Sequence, residues 1–481
     1  MPKDVITTRA KDYNQWYLDI VQHADLAVSA EVVRGCIVFR PTGWAIWEMM
    51  QRGLDERIKA TGHENVYFPL LIPESFLRRE QEHVEGFAPE VAVVTHAGGE
   101  ALTEPYVIRP TSETIIGYFF AKWIRSYRDL PLLYNQWANV MRWELRTRPF
   151  LRTAEFQWQE GHTAHATQDD AERETLMILH DVYADFVENV MAMPVIRGLK
   201  TEKEKFAGAL RSYCIEAMMQ DGRALQAGTS HNLGQNFARA FDITYTDQGN
   251  TVQHCWTTSW GISTRLIGAL IMTHSDDEGL VLPPRLAPTQ VIIVPIYKND
   301  EEQSKVMAVV ERLSAELKGK LRFKVDSRDN LTPGFKFNEW ELKGVPLRIE
   351  IGPKDVEKGS VALARRDMPG KAGKQFVNQE GLVERLSTLL EEIQANLYTK
   401  ALAFRTERTR HVHTYEELQS QVEIGFARAY WAGSRADEQR LQDELKATIR
   451  CIPLDQPEQP GRCVLTGKET TQLVIFARAY G

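Results

Sequence analysis

The residues best suited to chemistry lie between positions 141 and 162, where the sequence reads MRWELRTRPFLRTAEFQWQEGH. Its two arms show the alternation of β-strands, in which every second side chain shares a face. On the first arm, Arg142 and Glu144 share a face. On the second arm, one face carries two aromatic rings, a carboxylate and an imidazole: Phe156, Trp158, Glu160 and His162. An ordinary half-buried hairpin would instead alternate apolar with polar residues.

This wall of side chains suits a nucleoside triphosphate. An aromatic ring can stack on the base, and guanidinium groups such as those of Arg146, Arg148 and Arg152 can bind phosphates through two parallel hydrogen bonds. The alternative is a solvated basic hairpin whose two aromatic residues, Phe156 and Trp158, belong to the core. The grouping of so many functional types on one hairpin favours the nucleotide site.

Two helix starts carry further candidates. Glu113 falls in the first turn of a helix predicted to begin at Thr111 or Ser112, where the helix dipole favours an acid. The same carboxylate could hold a cationic amine in a cleft. Arg265 lies on a strongly apolar helix, and a buried arginine is costly unless it is paired, so a phosphate or a carboxylate should face it.

The turn at residues 226–231, QAGTSH, offers Gln226, Thr229 and His231 as hydrogen-bonding groups. Its glycines do not match the phosphate-binding loop G-x-x-x-x-G-K-[ST].

Periodicity predicts three units: residues 1–282, 286–398 and 405–481, with a proline-rich linker at 283–288 after the first. The second unit alternates strands and helices, which is typical of a compact α/β domain with a mostly parallel sheet. The first unit has a long amphipathic helix at about 44–61, followed by a strand interrupted by Pro69 and Pro73. Proline is tolerated at sheet edges, so this strand is either a dimer surface or an ordinary core strand ending in a loop.

Composition is that of a globular protein. The 481 residues are 43% hydrophobic and 26% charged, enough for two to four domains. No apolar run approaches the roughly 18 residues needed to span a bilayer, and the start has no signal-like segment. Five scattered cysteines favour a cytosolic protein over a disulfide framework. The net charge of −7 does not exclude a nucleic-acid partner, because binding depends on local patches.

Together these motifs resemble those of the prolyl-tRNA synthetase family, in its short archaeal/eukaryotic-like type without an inserted editing domain. Residues 142–162 resemble the second motif of class II aminoacyl-tRNA synthetases, residues 261–265 resemble the third, and residues 110–113 and 226–231 match further family signatures. The resemblance implies an α/β and α+β multidomain fold. Its parts would be a class II catalytic domain with an antiparallel sheet, an α/β anticodon-binding domain and a small α+β C-terminal domain.

The resemblance also implies roles. The chain would ligate L-proline to tRNA(Pro) through prolyl-adenylate, consuming ATP with Mg²⁺ and releasing AMP and pyrophosphate. Arg142 and Arg265 would be catalytic. The proline pocket would comprise Thr111, Glu113, Arg142, Trp158, Glu160, His162 and His231. The ATP site would comprise Arg142, Glu144, Arg152, Thr153, Phe156, Gln226, Thr229, Ser263 and Arg265. The anticodon would contact Glu341, Arg348 and Lys354. A cytoplasmic homodimer without membrane contact is expected.

In this family the C-terminal domain resembles a module in which four cysteines hold zinc. Here the first pair's region, WAGSRADE, has no cysteine, and the second region keeps only Cys463, so no structural zinc and no other protein-bound metal is expected. Apolar packing should hold this unit, with the following core candidates: Leu418, Ile424, Phe426, Leu441, Leu445, Ile449, Val474 and Phe476.

Two alternatives remain open. A threonyl-type class II synthetase would resemble a zinc enzyme with one cysteine and two histidines, but residues 110–162 contain no cysteine. A catalytically silent paralogue that binds RNA is the other.

Overall fold

The computed structural model describes residues 5–83 and 90–480. Three units follow one another, here called the N-terminal unit (elements from 13 to 274), the five-stranded unit (291 to 407) and the C-terminal unit (409 to 480). The helices are α1 Tyr13–His23, α2 Pro41–Ala60, α3 Glu74–His83, α4 Glu113–Trp123, α5 Gln168–Met177, α6 Asp185–Asn189, α7 Asn236–Phe241, α8 Arg265–His274, α9 Asp300–Leu317, α10 Pro333–Leu342, α11 Pro353–Lys358, α12 Leu382–Glu407, α13 Tyr415–Gln421 and α14 Arg435–Leu445. Short 3₁₀ turns occur at Tyr127–Asp129 and Lys371–Gly373, and Ile178–Ala184 is π-helical.

The strands of the N-terminal unit are β1 Ala27–Ser29, β2 Ile37–Phe39, β3 Glu64–Asn65, β4 Leu71–Pro73, β5 Val93–Ala97, β6 Glu100–Ile108, β7 Leu132–Met141, β8 Glu155–His165, β9 Ile196–Leu199, β10 Arg211–Met218, β11 Ala224–Gly234, β12 Thr244–Thr246, β13 Val252–His254 and β14 Trp256–Ser263. Those of the five-stranded unit are β15 Val291–Pro295, β16 Phe323–Val325, β17 Leu347–Ile351, β18 Ser360–Arg365 and β19 Lys374–Asn378. Those of the C-terminal unit are β20 Thr409–His411, β21 Phe426–Tyr430, β22 Thr448–Pro453, β23 Gly461–Arg462, β24 Glu469–Thr470, β25 Leu473–Ala477 and β26 Ala479–Tyr480.

A twelve-stranded sheet dominates the described part of the chain, and it runs through two units. Its order is β20-β21-β25-β22-β9-β10-β11-β14-β8-β7-β3, with β26 paired to β11. The central strands β9, β10, β11, β14, β8 and β7 are antiparallel, as the class II resemblance predicted. The C-terminal unit joins at β9, where Ile452 faces Leu199 and Pro453 faces Gly198.

In the hairpin predicted over residues 141–162, the first strand ends earlier than predicted. Its first strand ends at Met141, so Arg142 and Glu144 lie in the loop rather than on one face of a strand. The loop closes through backbone bonds from Arg142 N to the Ala154 carbonyl, 2.8 Å, and between Arg148 and Arg152. Phe150 adopts a left-handed conformation, φ 63°, which ordinary strands do not contain.

Helices cover one face of the N-terminal sheet and bury its largest rings. Trp16 of α1, Trp47 of α2 and Trp260 of β14 belong to one apolar cluster and are nearly inaccessible to solvent. Trp260 packs across Gly161 of β8, where a β-carbon would lie 2.1 Å from the indole ring. Residue 161 must therefore be glycine for the two strands to keep this packing.

The five-stranded sheet is ordered β16-β15-β17-β18-β19. β16, β15 and β17 are parallel, but β18 and β19 are antiparallel to their neighbours, so the prediction of a mostly parallel sheet is correct for only three strands. Parallel neighbours need a crossover of about a dozen residues or more. The connections on both sides of β18 are shorter than that and reverse the chain.

The C-terminal unit has its own apolar cluster, which includes Trp431, Leu441 and Phe476. Ile424, predicted to lie in the core, is instead 52% exposed. Its backbone faces the N-terminal unit at Gly222, where a β-carbon would lie 2.1 Å from the Ile424 carbonyl oxygen. The backbone contact turns the side chain outward. Among residues 5–83 and 90–480, no helix is both long and apolar enough to cross a bilayer.

Candidate active site

A cavity of about 490 Å³ opens on the face of the large sheet that β8 lines with alternate residues. Twelve of the residues predicted for the site border it: Thr111, Glu113, Arg142, Phe156, Trp158, Glu160, His162, Gln226, Thr229, His231, Ser263 and Arg265. They come from the start of α4, from β8, β11 and β14, and from the start of α8. The strand alternation predicted for residues 156–162 is therefore correct.

Glu160 is the most densely hydrogen-bonded group in this cavity. Its carboxylate accepts from Ser112 N at 3.1 Å, Ser112 Oγ at 2.9 Å, Gln136 Nε2 at 3.2 Å and Trp158 Nε1 at 3.2 Å, and it bonds His162 Nε2 at 2.7 Å. Burial opposes ionisation, but these bonds and the nearby His162 outweigh it and lower the pKa of Glu160. Glu160 is therefore an anion that fixes the orientation of its neighbours.

The pKa values of the two histidines of the site are shifted in opposite directions. Burial opposes the charge of His162, but the bond to Glu160 and its negative charge raise the pKa of His162 above its ordinary value. Burial and the positive charge of Lys200 lower the pKa of His231 to about 3, so this ring is neutral. His231 Nδ1 lies 2.7 Å from Ser212 Oγ.

Glu113 lies in the first turn of α4, as predicted, and is buried. The Thr111 hydroxyl donates to the Glu113 carboxylate at 2.5 Å. Above it, Arg142 Nε donates to the Pro110 carbonyl at 3.0 Å. A carboxylate and a guanidinium thus face the same cavity, which suits a small zwitterion.

Arg142 also lies against two aromatic rings. Its guanidinium carbon is 5.6 Å from the centre of the Phe156 ring and 5.4 Å from that of Trp158. The two rings meet edge to face, with centres 5.7 Å apart. These contacts fix the direction of a cation in the cavity.

Arg265 is the first residue of α8, not a residue of its apolar face. Its Nε donates to the Leu151 carbonyl at 3.2 Å, and its backbone N–H donates to Ser263 Oγ at 3.1 Å. Burial and the nearby charge of Arg142 lower the pKa of Arg265 to about 10, so it stays charged at neutral pH. The prediction that an anion should face this arginine is consistent with its place in the cavity wall.

Three predicted ATP residues do not border the cavity. Arg152 Nε and Glu144 Oε2 form an ion pair of 2.7 Å in the loop. Thr153 donates its hydroxyl to the Glu155 carbonyl at 2.7 Å. The loop itself is supported from the C-terminal unit, because Arg148 lies between the rings of Tyr17 and Tyr480, 5.0 and 5.2 Å from their centres.

Several residues in the cavity wall escaped sequence reasoning: Glu90, Lys200, Glu204, Phe206, Ser212 and Ser259. Three of them belong to the irregular segment between β9 and β10, which has no periodicity from which to predict a face. Lys200 is buried and paired, with its Nζ 2.9 Å from Glu216 Oε1. No local signal in the sequence distinguishes it, because Lys200 is followed by two further lysines, Lys203 and Lys205.

The anticodon candidates are only partly together. Glu341 at the end of α10 and Arg348 on β17 are paired at 3.0 Å and border a small cavity of about 20 Å³ with Trp340, Arg365 and Arg366. Lys354, on α11, is exposed and does not border it. Across the described ranges, no group of three or more His, Cys, Asp and Glu side chains is arranged to hold a metal. The absence of zinc stays a prediction.

Family models and relatives of known name are similar to this chain along its length. Family models match at residues 98–274 (tRNA synthetase class II core domain, G, H, P, S and T), 290–389 (anticodon binding domain) and 415–480 (prolyl-tRNA synthetase, C-terminal). Over 480 residues, the chain is 79% identical to the proline–tRNA ligase of Roseiflexus castenholzii and 77% identical to that of Chloroflexus aurantiacus, with 100% of each chain covered.

A crystal structure of the prolyl-tRNA synthetase from Cryptosporidium parvum, complexed with halofuginone and AMPPNP, has the same fold. Its TM-score is 0.93 at 40% sequence identity, with 99% of each chain covered. Sequence identity over the full length, three domain matches and a shared fold agree. The chain therefore belongs to the prolyl-tRNA synthetase family.

Proposed function

We propose that this chain ligates L-proline to tRNA(Pro) in two steps, through prolyl-adenylate. The observation that carries the proposal is the joining, in one cavity, of a buried carboxylate at Glu113 with the cations Arg142 and Arg265 and the ring of Trp158. A secondary ammonium, a carboxylate, an apolar five-membered ring and a triphosphate each have a matching partner there.

In the first step, a proline carboxylate oxygen attacks the α-phosphorus of ATP and pyrophosphate leaves. Glu113 pairs with the proline ammonium, Trp158 packs on the ring, and Thr111, His162 and His231 border the pocket. Arg142 holds the attacking carboxylate beside the α-phosphate, and Arg265 binds the phosphates that leave. Orientation and preorganised charge can drive such a displacement without a protein nucleophile.

Glu160 has a positioning role in this scheme. Its anionic carboxylate already accepts from Trp158, Ser112 and Gln136, so it fixes the pocket wall on which proline lies. The adenine ring stacks on Phe156. The remaining contacts to ATP come from Glu144, Arg152, Thr153, Gln226, Thr229 and Ser263. For the three loop residues among them, this requires the loop to close over the nucleotide.

Mg²⁺ binds chiefly through substrate phosphates and one or two carboxylates, and here it would accompany ATP and neutralise phosphate charge. Glu144, in the loop beside Arg152, would be one carboxylate within its reach once the loop has closed. In the second step, a terminal ribose hydroxyl of the tRNA attacks the acyl carbon and AMP leaves.

The remaining parts of the chain support the tRNA and the assembly. We assign residues 1–282 to catalysis, 286–398 to anticodon binding and 405–481 to the C-terminal domain. Glu341 and Arg348 would contact base edges, and Lys354 a phosphate. A cytoplasmic homodimer would cover the exposed apolar side chains on and near β1, β2 and β4: Val28, Val38, Trp44, Tyr67 and Leu71.

Exchange of pyrophosphate into ATP tests the proposal directly. We expect exchange with L-proline and not with L-threonine; threonine-dependent exchange would instead indicate the threonyl type. No exchange with either would indicate a silent paralogue. Alanine should exchange weakly, because apolar pockets reject a smaller substrate by only about 10–200-fold per methylene.

A pair of variants tests the pocket itself. Glu113→Gln should raise the KM for proline while leaving the KM for ATP nearly unchanged, because only the ammonium partner is lost. Glu100→Gln, at an exposed position of β6, is the matched control. Equal KM values for proline in both variants would refute the assignment of Glu113.

A further inference from the structure

One ion pair joins the cavity of Glu341 and Arg348 to the N-terminal unit. Arg366, which borders that cavity, donates from both terminal nitrogens to Asp276, at 2.7 and 2.6 Å, and from Nε to the backbone carbonyl of Glu341 at 2.7 Å. Its side chain is only 2% exposed. Every nitrogen of this guanidinium is therefore committed, in a fixed bidentate geometry.

The backbones of the two units are also in direct contact at this point. Leu280 N donates to the Leu342 carbonyl at 3.0 Å, and Leu282 N donates to the Gly344 carbonyl at 3.2 Å. Gly344, at φ 76°, approaches so closely that a β-carbon would lie 2.6 Å from the Leu280 carbonyl oxygen. The end of α10, which carries Glu341, cannot move without moving this segment.

On its other side, the same segment continues into the active site. Asp276 follows α8 by two residues, and α8 begins at Arg265. The helix has ten residues and so spans about 15 Å. Asp276 is further fixed by Trp16, whose indole N–H donates to its carbonyl at 2.8 Å. One buried helix therefore runs from the phosphate-binding arginine to the ion pair.

A base cannot enter the small cavity without displacing side chains. Its volume is about 20 Å³, only a little more than the roughly 10–15 Å³ that a single water needs on the same measure, so it has room for about one water and not for a base. Glu341, Arg348 or Arg366 must shift to admit a base. Because protein interiors are closely packed, such a shift passes to the groups in contact with it, here Asp276 and residues 280–282.

We propose that Asp276 is a positioning residue that, through Arg366 and α8, makes the rate of charging depend on occupation of the anticodon cavity. The inference rests on the proposed function. The test compares two transcripts, tRNA(Pro) and the same tRNA with its anticodon triplet replaced, and measures kcat and KM for charging together with proline-dependent pyrophosphate exchange.

With the wild-type chain, replacing the anticodon should lower kcat by a factor within the usual range of coupling, about 5–150-fold. Asp276→Asn should remove most of that factor: kcat for tRNA(Pro) should fall toward the value for the altered transcript, which should itself change less than about twofold. KM for tRNA(Pro) and the exchange rate should stay within about twofold, since neither the RNA contacts nor the first step is altered. Asp277→Asn is the matched control, because Asp277 pairs with Arg9 of its own unit; it should leave both transcripts unchanged.

Three outcomes overturn the inference: an unchanged kcat for tRNA(Pro) in Asp276→Asn, an equal loss with both transcripts, or a parallel loss of exchange, which would show a general structural role. The failure of the proposed function is a separate observation. It would appear as a wild-type chain that neither exchanges with proline nor charges tRNA(Pro).

Discussion

Glu80 provides a quantitative test of burial near the proposed proline pocket. It lies on α3, its side chain is completely buried, and neither carboxyl oxygen has a hydrogen-bond partner in the described part of the chain. Burial, together with the negative charge of Glu113, raises the pKa of Glu80 from 4.5 to about 9. Glu80 is therefore protonated at neutral pH, and Glu80→Gln replaces one neutral group by another of the same shape.

The sign of the effect follows from linkage. The pKa of Glu80 is higher in the folded state than in the unfolded state. Its burial therefore does not change the free energy of unfolding below pH 4.5, and it lowers that free energy as the pH rises toward 9. Each pH unit in that window costs about 1.4 kcal/mol, so the cost at pH 7.5 is about 4 kcal/mol. Glutamine cannot ionise and escapes this cost, while its unpaired amide is comparable with the unpaired neutral acid.

Thermal unfolding between pH 5 and pH 8 measures the difference in stability between the wild type and Glu80→Gln. If the N-terminal unit unfolds with the usual entropy per residue, 4 kcal/mol corresponds to roughly 7 °C. Glu80→Gln should match the wild type at pH 5 and exceed its Tm by roughly 7 °C at pH 7.5. Glu82→Gln, exposed on the same helix, is the control and should show no such trend. Parallel curves for Glu80→Gln and wild type would refute the reasoning.

Three other predictions follow from the site and the core. Arg142→Ala and Arg265→Ala should each reduce proline-dependent exchange by about 10²–10³-fold with an unchanged Tm, and near-wild-type exchange in either would contradict its role. Gly161→Ala should destabilise by about 1–3 kcal/mol, because its β-carbon would meet the Trp260 ring at 2.1 Å; a Tm equal to that of wild type would show that the ring can move freely. Elemental analysis should find zinc well below one per chain, and a chelator should leave the Tm unchanged; stoichiometric zinc released with loss of the C-terminal fold would contradict this.

The alternation of side chains along the sequence predicts those features of the site that depend on local backbone geometry. The alternation in β8 correctly placed Phe156, Trp158, Glu160 and His162 on one face, because the strand period is fixed by the backbone. The end of β7 was misplaced because Arg142 bonds to Ala154 across a loop, a contact that periodicity does not encode. Lys200 was missed for a related reason: its position depends on pairing with Glu216 on a neighbouring strand.

Contacts that local periodicity does not encode also explain why the position of Arg265 and the direction of β18 differ from the predictions. The apolar residues around Arg265 made it look buried within a helix, whereas it begins the helix and borders the cavity. A sequence of alternating strands and helices predicts parallel pairing, but chain direction in the sheet depends on the length of each connection. Most element types could thus be predicted from the sequence, while their junctions depended on tertiary contacts. The turn predicted at residues 226–231 is wrong, because these residues lie within β11 and pair with the strands on both sides.

The shared sheet has a consequence for how the protein is made. Until β22 leaves the ribosome, β9 presents an unpaired edge, and exposed edges invite pairing with other chains. The partner strand is synthesised roughly 250 residues later, which takes roughly 13–50 s at bacterial rates of about 5–20 residues per second. During that interval the nascent N-terminal unit carries an open template for aggregation. Slow translation between the two strands should therefore favour chaperone capture, and rapid completion of the C-terminal unit should close the edge.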